Sequence, residues 1–278
     1  MMRASAKKGL LVALAVLLLG TAALFLAGST DDMITVTYEM EAPEVDTPIR
    51  LALVTDLHSC DYGEKQEDLL EAIAARQPDA VLLGGDIIDD DIPREKGELF
   101  VTEVSRSYPA YYVSGNHEYR TQDIQGIKDF IRSAGAVVLE GDCASLTLDG
   151  QTIQICGVDD PEGVGLDVMD RQLAQSAAQV NPDLFTILLS HRPERIDQYR
   201  SYGVFDLILS GHAHGGQWRI PGLLNGLLAP NQGFFPKYAG GRYDFPDCTF
   251  LVSRGLARES TSIPRLFNNP ELVIIDIT

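Results

Sequence analysis

Basic residues are scarce in this 278-residue chain: 22 Lys and Arg stand against 40 Asp and Glu, a formal net charge of −18. That deficit argues against a broad electrostatic footprint for nucleic acid or for anionic lipid, so no nucleic-acid partner is expected. Cysteine is sparse too. Cys60, Cys143, Cys156 and Cys248 form no Cys-x-x-Cys pair, which leaves neither a zinc knuckle nor a thioredoxin-type motif. Internal repeats, low-complexity tracts and Pro/Ser-rich linkers are all missing, so nothing divides the bulk of the chain. The simplest reading is an N-terminal appendage over residues 1–30 and one domain over residues 31–278.

The appendage carries the one long uncharged run, residues 9–28, long enough to cross a bilayer core as a helix. Arg3, Lys7 and Lys8 precede it, and Asp31 and Asp32 follow. The positive-inside rule then places the N-terminus in the cytoplasm and the domain outside, in a single-pass cell-membrane protein. A cleaved signal peptide is the alternative, with Ala27, Gly28 and Ser29 near a cut. Its apolar region would be unusually long, since about 7–15 residues is the norm.

Beyond the appendage, residues 34–40 alternate apolar and polar as a half-buried strand does, and residues 49–55 form a continuous apolar run typical of a central strand. Short apolar strands are expected again at 80–83, 110–113, 185–189, 207–209, 250–253 and 272–277, with helices at 67–76, 124–134 and 170–180. Residues 136–139, 145–148 and 152–158 are β-rich, and Asp149-Gly150 between two alternating runs signals a hairpin. The pattern predicts a layered α/β architecture with two sheets packed face to face and helices outside.

Histidine is rare as well, and all five, His58, His117, His191, His212 and His214, fall where an apolar run gives way to Asp, Asn, Gly or more His. Asp56 and His58 are two apart, so a strand continuing through them would send both side chains from one face. Asp86 follows Gly84-Gly85, Asn116 and His117 follow Gly115, His191 ends a further strand, and His212 and His214 repeat the two-residue spacing. The carboxyl ends of strands in open α/β sheets are where sites form. A lone Asp or Asn there is a turn former, and a lone His a satisfied polar residue. Five such segments in like positions predict a metal centre instead. Carboxylate, imidazole and amide oxygen together suit Mn, Fe, Zn or Mg, and the set exceeds the four ligands of one tetrahedral site, so two divalent ions sharing an aspartate would use it fully.

As an ordered set, Asp56-Leu57-His58, Gly85-Asp86, Gly115-Asn116-His117-Glu118, His191 and Gly211-His212-Ala213-His214 resemble the blocks of the calcineurin-like metallophosphoesterase superfamily. The resemblance implies a four-layer α/β/β/α sandwich. It implies Asp56, His58, Asp86 and His214 around one ion, with Asp86, Asn116, His191 and His212 around the other. Such a pair polarises phosphoryl oxygens and lowers the pKa of a water between them. His117 would protonate the leaving group as general acid, oriented by Asp89, a residue equally readable as a solvated turn former. In the protein serine/threonine phosphatase branch an Arg follows that carboxylate; here Asp90 does. The departure argues against phosphoprotein substrates.

The tail 253–271, with Arg-Gly-Leu and Pro-Arg-Leu-Phe-Asn-Asn-Pro-Glu, is also similar to a membrane-associated bacterial subgroup tied to phospholipid or lipid-A-type phosphodiesters. Right after the last block, Trp218, Leu223, Leu224, Leu227, Leu228, Phe234, Phe235 and Tyr238 form either a core-covering loop or an apolar rim facing acyl chains. Arg192, Arg254 and Arg258 are candidates to steady phosphate. The expectation is a binuclear metal-dependent hydrolase of phosphomonoesters or phosphodiesters, acting on a small-molecule or lipid phosphoester. A nucleotide or cyclic-nucleotide phosphodiesterase, or a catalytically silent binding scaffold, are the alternatives.

Overall fold

The run of residues 51–54 stays apolar because this part of its strand is buried on both faces, while Arg50 before it is exposed. The computed structural model describes residues 14, 18–21, 23, 25, 26, 28, 29, 31–258 and 263–278. In it, Leu51 and Leu53 enter one core while Ala52 and Val54 enter another, the period of two that a pleated strand imposes. Leu82 and Leu83 divide between the same two cores.

In chain order the strands are β1 (Ile34–Met40), β2 (Ile49–Val54), β3 (Ala80–Gly84), β4 (Ala110–Val113), β5 (Val137–Val138), β6 (Cys143–Leu148) and β7 (Gln151–Gly157). There follow β8 (Thr186–Leu189), β9 (Leu207–Ser210), β10 (Leu228–Ala229), β11 (Gly233–Phe234), β12 (Gly241–Asp244), β13 (Thr249–Val252) and β14 (Glu271–Ile277). One six-stranded sheet has the order β1-β14-β2-β3-β4-β5 and the other β12-β13-β9-β8-β7-β6, while β10 and β11 pair separately. Strands β2 to β5 run parallel, as do β7, β8, β9 and β13.

The sheets pack face to face through Leu51, Leu53, Leu82 and Val113 of one and Ile155, Ile187, Leu189 and Leu209 of the other. Helices Glu67–Ala74, Glu95–Ser107 and Ile124–Ser133 cover the outer face of the first sheet through Leu69, Ile73, Phe100, Val104, Ile127 and Ile131. Helices Leu166–Gln179 and Ile196–Arg200 cover the second through Met169, Leu173, Ile196 and Tyr199. The layers are therefore helix, sheet, sheet, helix, as expected. Parallel strands bring the carboxyl ends of β2, β3 and β4 to the same edge of the sandwich as those of β7, β8 and β9.

Asp149 (φ 48°) and Gly150 (φ 89°) join β6 to antiparallel β7, and their two positive φ angles suit the tight primed turn their sequence signals. Cys143 and Cys156 are register partners on these strands and form a disulfide. Cys60 and Cys248 are buried thiols, and Cys60 packs in the core as a small apolar residue.

Among the departures from the sequence reading are the short helices Asn116–Arg120 and Ile196–Arg200, strands β10 and β11, and three larger ones. Helix Glu95–Ser107 went unpredicted because Phe100, Val101 and Val104 are its large buried residues amid a largely charged surface. Edge strand β12 alternates half-buried with exposed positions and carries little apolar signal. The helix expected at 170–180 begins at Leu166, where Gly165 (φ 86°) separates it from the short helix Pro161–Val164. The expected membrane anchor lies largely outside the described residues. Among the described residues, no helix is long and apolar enough to cross a membrane.

Candidate metal centre

Past Val54 the chain leaves the strand geometry, so Asp56 and His58 do not share a face through a continuing strand. Both adopt φ near +50°, and the turn is instead laid along the neighbouring one: Asp56 N donates to Gly85 O (3.0 Å) and His58 N to Asp86 O (2.9 Å). The left-handed backbone still turns both side chains inward, where Asp56, His58 and His214 have ligand atoms within 4.8 Å of one another. Asp86, His191 and His212 form a second such group. Asp86 links them, with Oδ2 2.9 Å from His191 Nε2 and 3.7 Å from His58 Nε2.

The two sheets meet at this edge. His212, after β9, donates its backbone N–H to Asp56 Oδ1 (2.9 Å), after β2. The Asn116 amide, after β4, lies 3.0 Å from His212 Nδ1 and, at its other end, 3.2 Å from Arg120 Nη1. Glycines permit the approach: a Cβ on Gly115 would stand 2.2 Å from Asp86 Oδ1, and one on Gly211 would stand 2.5 Å from Asp56 Oδ2. Glu118, fully buried, gathers backbone N–H groups of Gly115 (2.8 Å), Asp86 (3.0 Å), Ile87 (2.7 Å) and Ile88 (3.1 Å), locking the turn after β3 to the turn after β4.

The donor set fits divalent cations. His58 Nε2 and His214 Nδ1 are buried and make no hydrogen bond to any described residue, an expense that a bound cation would relieve. His58 Nδ1 is tied to Asp89 Oδ2 (2.6 Å) and His191 Nδ1 to Gly84 O (2.9 Å), the outer hydrogen bonds that orient a ligating imidazole. Burial, then the neighbouring His and Arg charges, holds His212 and His214 well below the usual histidine range, so both stay neutral as ligands must. Burial raises Asp56. It also opposes the ionised form of Asp86, but His191, His58 and His117 hold that carboxyl well below the ordinary range. Without a cation His191 is correspondingly pushed up to about 10 by Asp86 and Asp56 against its burial, and a cation bound there would displace that proton.

His117 stands at the rim, stacked edge-on against His58 with ring centroids 4.3 Å apart. Its Nδ1 is 2.5 Å from Asp90 Oδ1 and 3.3 Å from Asp89 Oδ2, while Asp89 lies closer to His58. Asp90, the residue that departs from the phosphatase branch, is thus the nearest partner of His117, and no sequence signal separated it from its acidic neighbours. Burial works against both members of this group. Even so, the three aspartates raise His117 to about 9, and the His117 and His58 hydrogen bonds hold Asp89 well below the carboxylate range.

Of the three candidate arginines only Arg192 reaches the centre. It is almost fully buried, with Nη1 2.9 Å from His212 Nε2, and it donates to Asn231 Oδ1 (2.6 Å), Asp160 and Glu162. Arg254 is engaged by Glu271 (2.6 Å), and Arg258 by the backbone oxygens of Asp31 and Asp61. Asp160 and Asn231 escaped the sequence reading. The Asp159-Asp160 pair after β7 does repeat the strand-end pattern and was the available signal, whereas Asn231 had none. In the tail, Asn268 donates to His214 O (2.8 Å) and Gln217 O (3.1 Å), fixing the turn that carries the last histidine.

Behind the site, Lys128 Nζ is buried against Asp159 (2.6 Å) and Glu140 (2.8 Å), and Ser114 Oγ donates to the same Asp159 oxygen (2.6 Å). Replacing Lys128 with alanine strands Asp159 in the interior, and a loss of about 3–5 kcal/mol is expected. Urea unfolding of Lys128→Ala beside the parent checks it; a change below about 0.5 kcal/mol would show that the pair is solvated.

Residues 49–216 match the family described as calcineurin-like phosphoesterase. The chain is 26% identical over 260 residues to YpbG of Bacillus subtilis, covering 92% of each chain. It is 29% identical over 177 residues to a Helicobacter pylori protein named as an uncharacterized metallophosphoesterase, covering 63% of this chain but only 46% of that one. Among solved structures, a dimetal phosphatase from Danio rerio superposes with a TM-score of 0.50 at 12% identity, over 75% of this chain and 88% of that one, a likeness of fold alone. With the match covering more than half of the chain, central strands of both sheets and every ordered block from Asp56 to His214, the chain belongs to the calcineurin-like phosphoesterase family.

Proposed function

We propose that this protein is a binuclear metal-dependent phosphoesterase, anchored by its N-terminal apolar run with the catalytic domain outside the cytoplasm, and that it hydrolyses a phosphomonoester or phosphodiester. One observation carries the reading: acidic and imidazole donors from both sheets gather in two groups linked through Asp86, with the Asn116 amide beside His212, while two buried imidazole nitrogens make no hydrogen bond to any described residue. Asp56, His58 and His214 would hold one ion and Asn116, His191 and His212 the other, with Asp86 between them. When bound, two divalent ions supply charge to polarise phosphoryl oxygens and acidify a water. His117 would deliver a proton to the leaving oxygen, and Asp89 and Asp90 would hold its ring.

The Cys143–Cys156 disulfide supports export, since such bonds persist in oxidising compartments. The bacterial subgroup similarity of the tail and the apolar residues beside the site favour a lipid phosphoester among the candidate substrates. The test uses full-length protein stripped of metal and reloaded separately with Mn, Fe, Zn and Mg. It is assayed on aryl phosphate, bis-aryl phosphate, phospholipids and nucleotides. Metal-restored hydrolysis is expected, with inorganic phosphate released directly from a monoester and only after added phosphatase from a diester. Stoichiometric metal without hydrolysis of any substrate would make the protein a binding scaffold.

A further inference from the structure

The segment that leaves His214 exposes an apolar surface that the metal centre does not account for. Leu223 is 82% exposed, Phe234 and Phe235 are each 70% exposed, and Trp218 and Ile220 are also open. Ile220 and Leu223 line one opening, Ile220 standing two residues along the chain from Trp218, and large apolar side chains gathered along one segment in this way, unlike scattered single ones, mark an interaction surface. Beside them Trp218, Leu227, Leu228, Phe234 and Ile263 line an apolar cleft of about 290 Å³.

What covers this surface follows from where the uncharged N-terminal run ends. Gly28, its last residue, accepts a hydrogen bond from Phe267 N (2.6 Å), and a Cβ on it would meet Phe267 Cε2 at 2.6 Å and Leu266 Cδ1 at 2.8 Å. Leu266 in turn pairs with the start of the apolar segment: Arg219 N donates to Leu266 O (2.9 Å) and Leu266 N to Gln217 O (3.1 Å). Trp218 Nε1 donates to Pro264 O (3.1 Å), which satisfies the indole N–H inside the protein and leaves its ring apolar toward the outside. The end of the uncharged run and the exposed patch are therefore joined through two adjacent backbone segments.

We propose that the surface formed by Trp218, Ile220, Leu223, Phe234 and Phe235 seats in the acyl region of the same bilayer that holds the N-terminal run. The inference rests on the anchoring proposed above and extends it: the domain lies on the membrane instead of hanging from a tether. With a net charge of −18, apolar burial and not attraction to anionic headgroups drives the seating. The hairpin β10–β11 carries both ends of the consequence. Its turn presses Asn231 Oδ1 to 2.8 Å from His212 Nε2 while Phe234 and Phe235 point to the outside. Seating thus sets the metal centre beside the lipid surface.

Trp218 is the chain's single tryptophan, so its emission reports this surface alone. The full chain is reconstituted into phosphatidylcholine vesicles with ordinary or acyl-brominated chains, and flotation is measured in parallel. Trp218 emission should be blue-shifted and at least about twofold weaker in brominated vesicles, as expected for a ring some 5–10 Å into the interface. Phe234→Asp with Phe235→Asp, and separately Leu223→Asp, should restore most of it. A chain that floats with unquenched Trp218 overturns the seating and leaves the anchor standing. A chain that does not float removes both. Emission that shifts with protein concentration but ignores bromine would assign the surface to a second copy of the chain, and undiminished quenching in both variants would also overturn the proposal. No arm depends on hydrolysis, so loss of the phosphoesterase reading would leave these results interpretable.

Discussion

Asp86→Ala is expected to lower kcat/KM by about 10³-fold or more, roughly 4 kcal/mol of transition-state stabilisation, and to reduce bound divalent metal in the purified protein. The size of the effect comes from position. Asp86 is fully buried between the two donor groups, touching His191 on one side and facing His58 on the other. Its Oδ1 also accepts from His117 N (2.8 Å), so the same carboxylate sets the start of the helix that carries the proposed acid. Removing it takes from His191 the largest of the charges that raise its pKa, and would leave either proposed ion without the shared ligand. Asp91→Ala is the control, because Asp91 is exposed in the same acidic run and should leave metal content and rate unchanged. Elemental analysis and steady-state kinetics on both variants decide the matter. An Asp86→Ala protein that keeps two ions and its activity would end the binuclear assignment.

Much of this arrangement was legible in the sequence because its strands are short and buried on both faces. A continuous apolar run such as Ile187–Leu189 ends sharply where the polar site begins, so His191 could be placed at a strand end from composition alone. The two-sheet architecture followed from the same runs. Backbone detail was not legible. Asp56 and His58 come together through positive φ and cross-turn hydrogen bonds, and side-chain spacing carries no trace of either. Nor could residues acting at a distance be picked out. Asp90 resembles any turn aspartate, and Asn231 reaches His212 only because the 217–235 segment folds back over the centre.

His117→Ala is expected to cost about 10²–10⁴-fold in kcat on a substrate with an alkyl leaving group, the usual worth of a positioned acid. Far less should be lost on an aryl ester, whose leaving phenolate departs without a proton. The geometry specifies this contrast. Nδ1 of His117 is taken by Asp90 and Asp89, and Nε2, on the open side of the centre, accepts from Arg120 Nη1 (3.2 Å), so Nε2 is the nitrogen left to carry a proton to the leaving oxygen once Arg120 turns aside. Burial would lower the imidazolium, yet Asp89, Asp86 and Asp90 raise it to about 9. The donating form is accordingly present at neutral pH and is lost as the pH rises through that value. Comparing alkyl and aryl phosphoesters with parent and His117→Ala, at matched metal content, separates proton donation from simple disruption. A disrupted site slows both substrates alike, and equal losses would remove His117 from the chemistry.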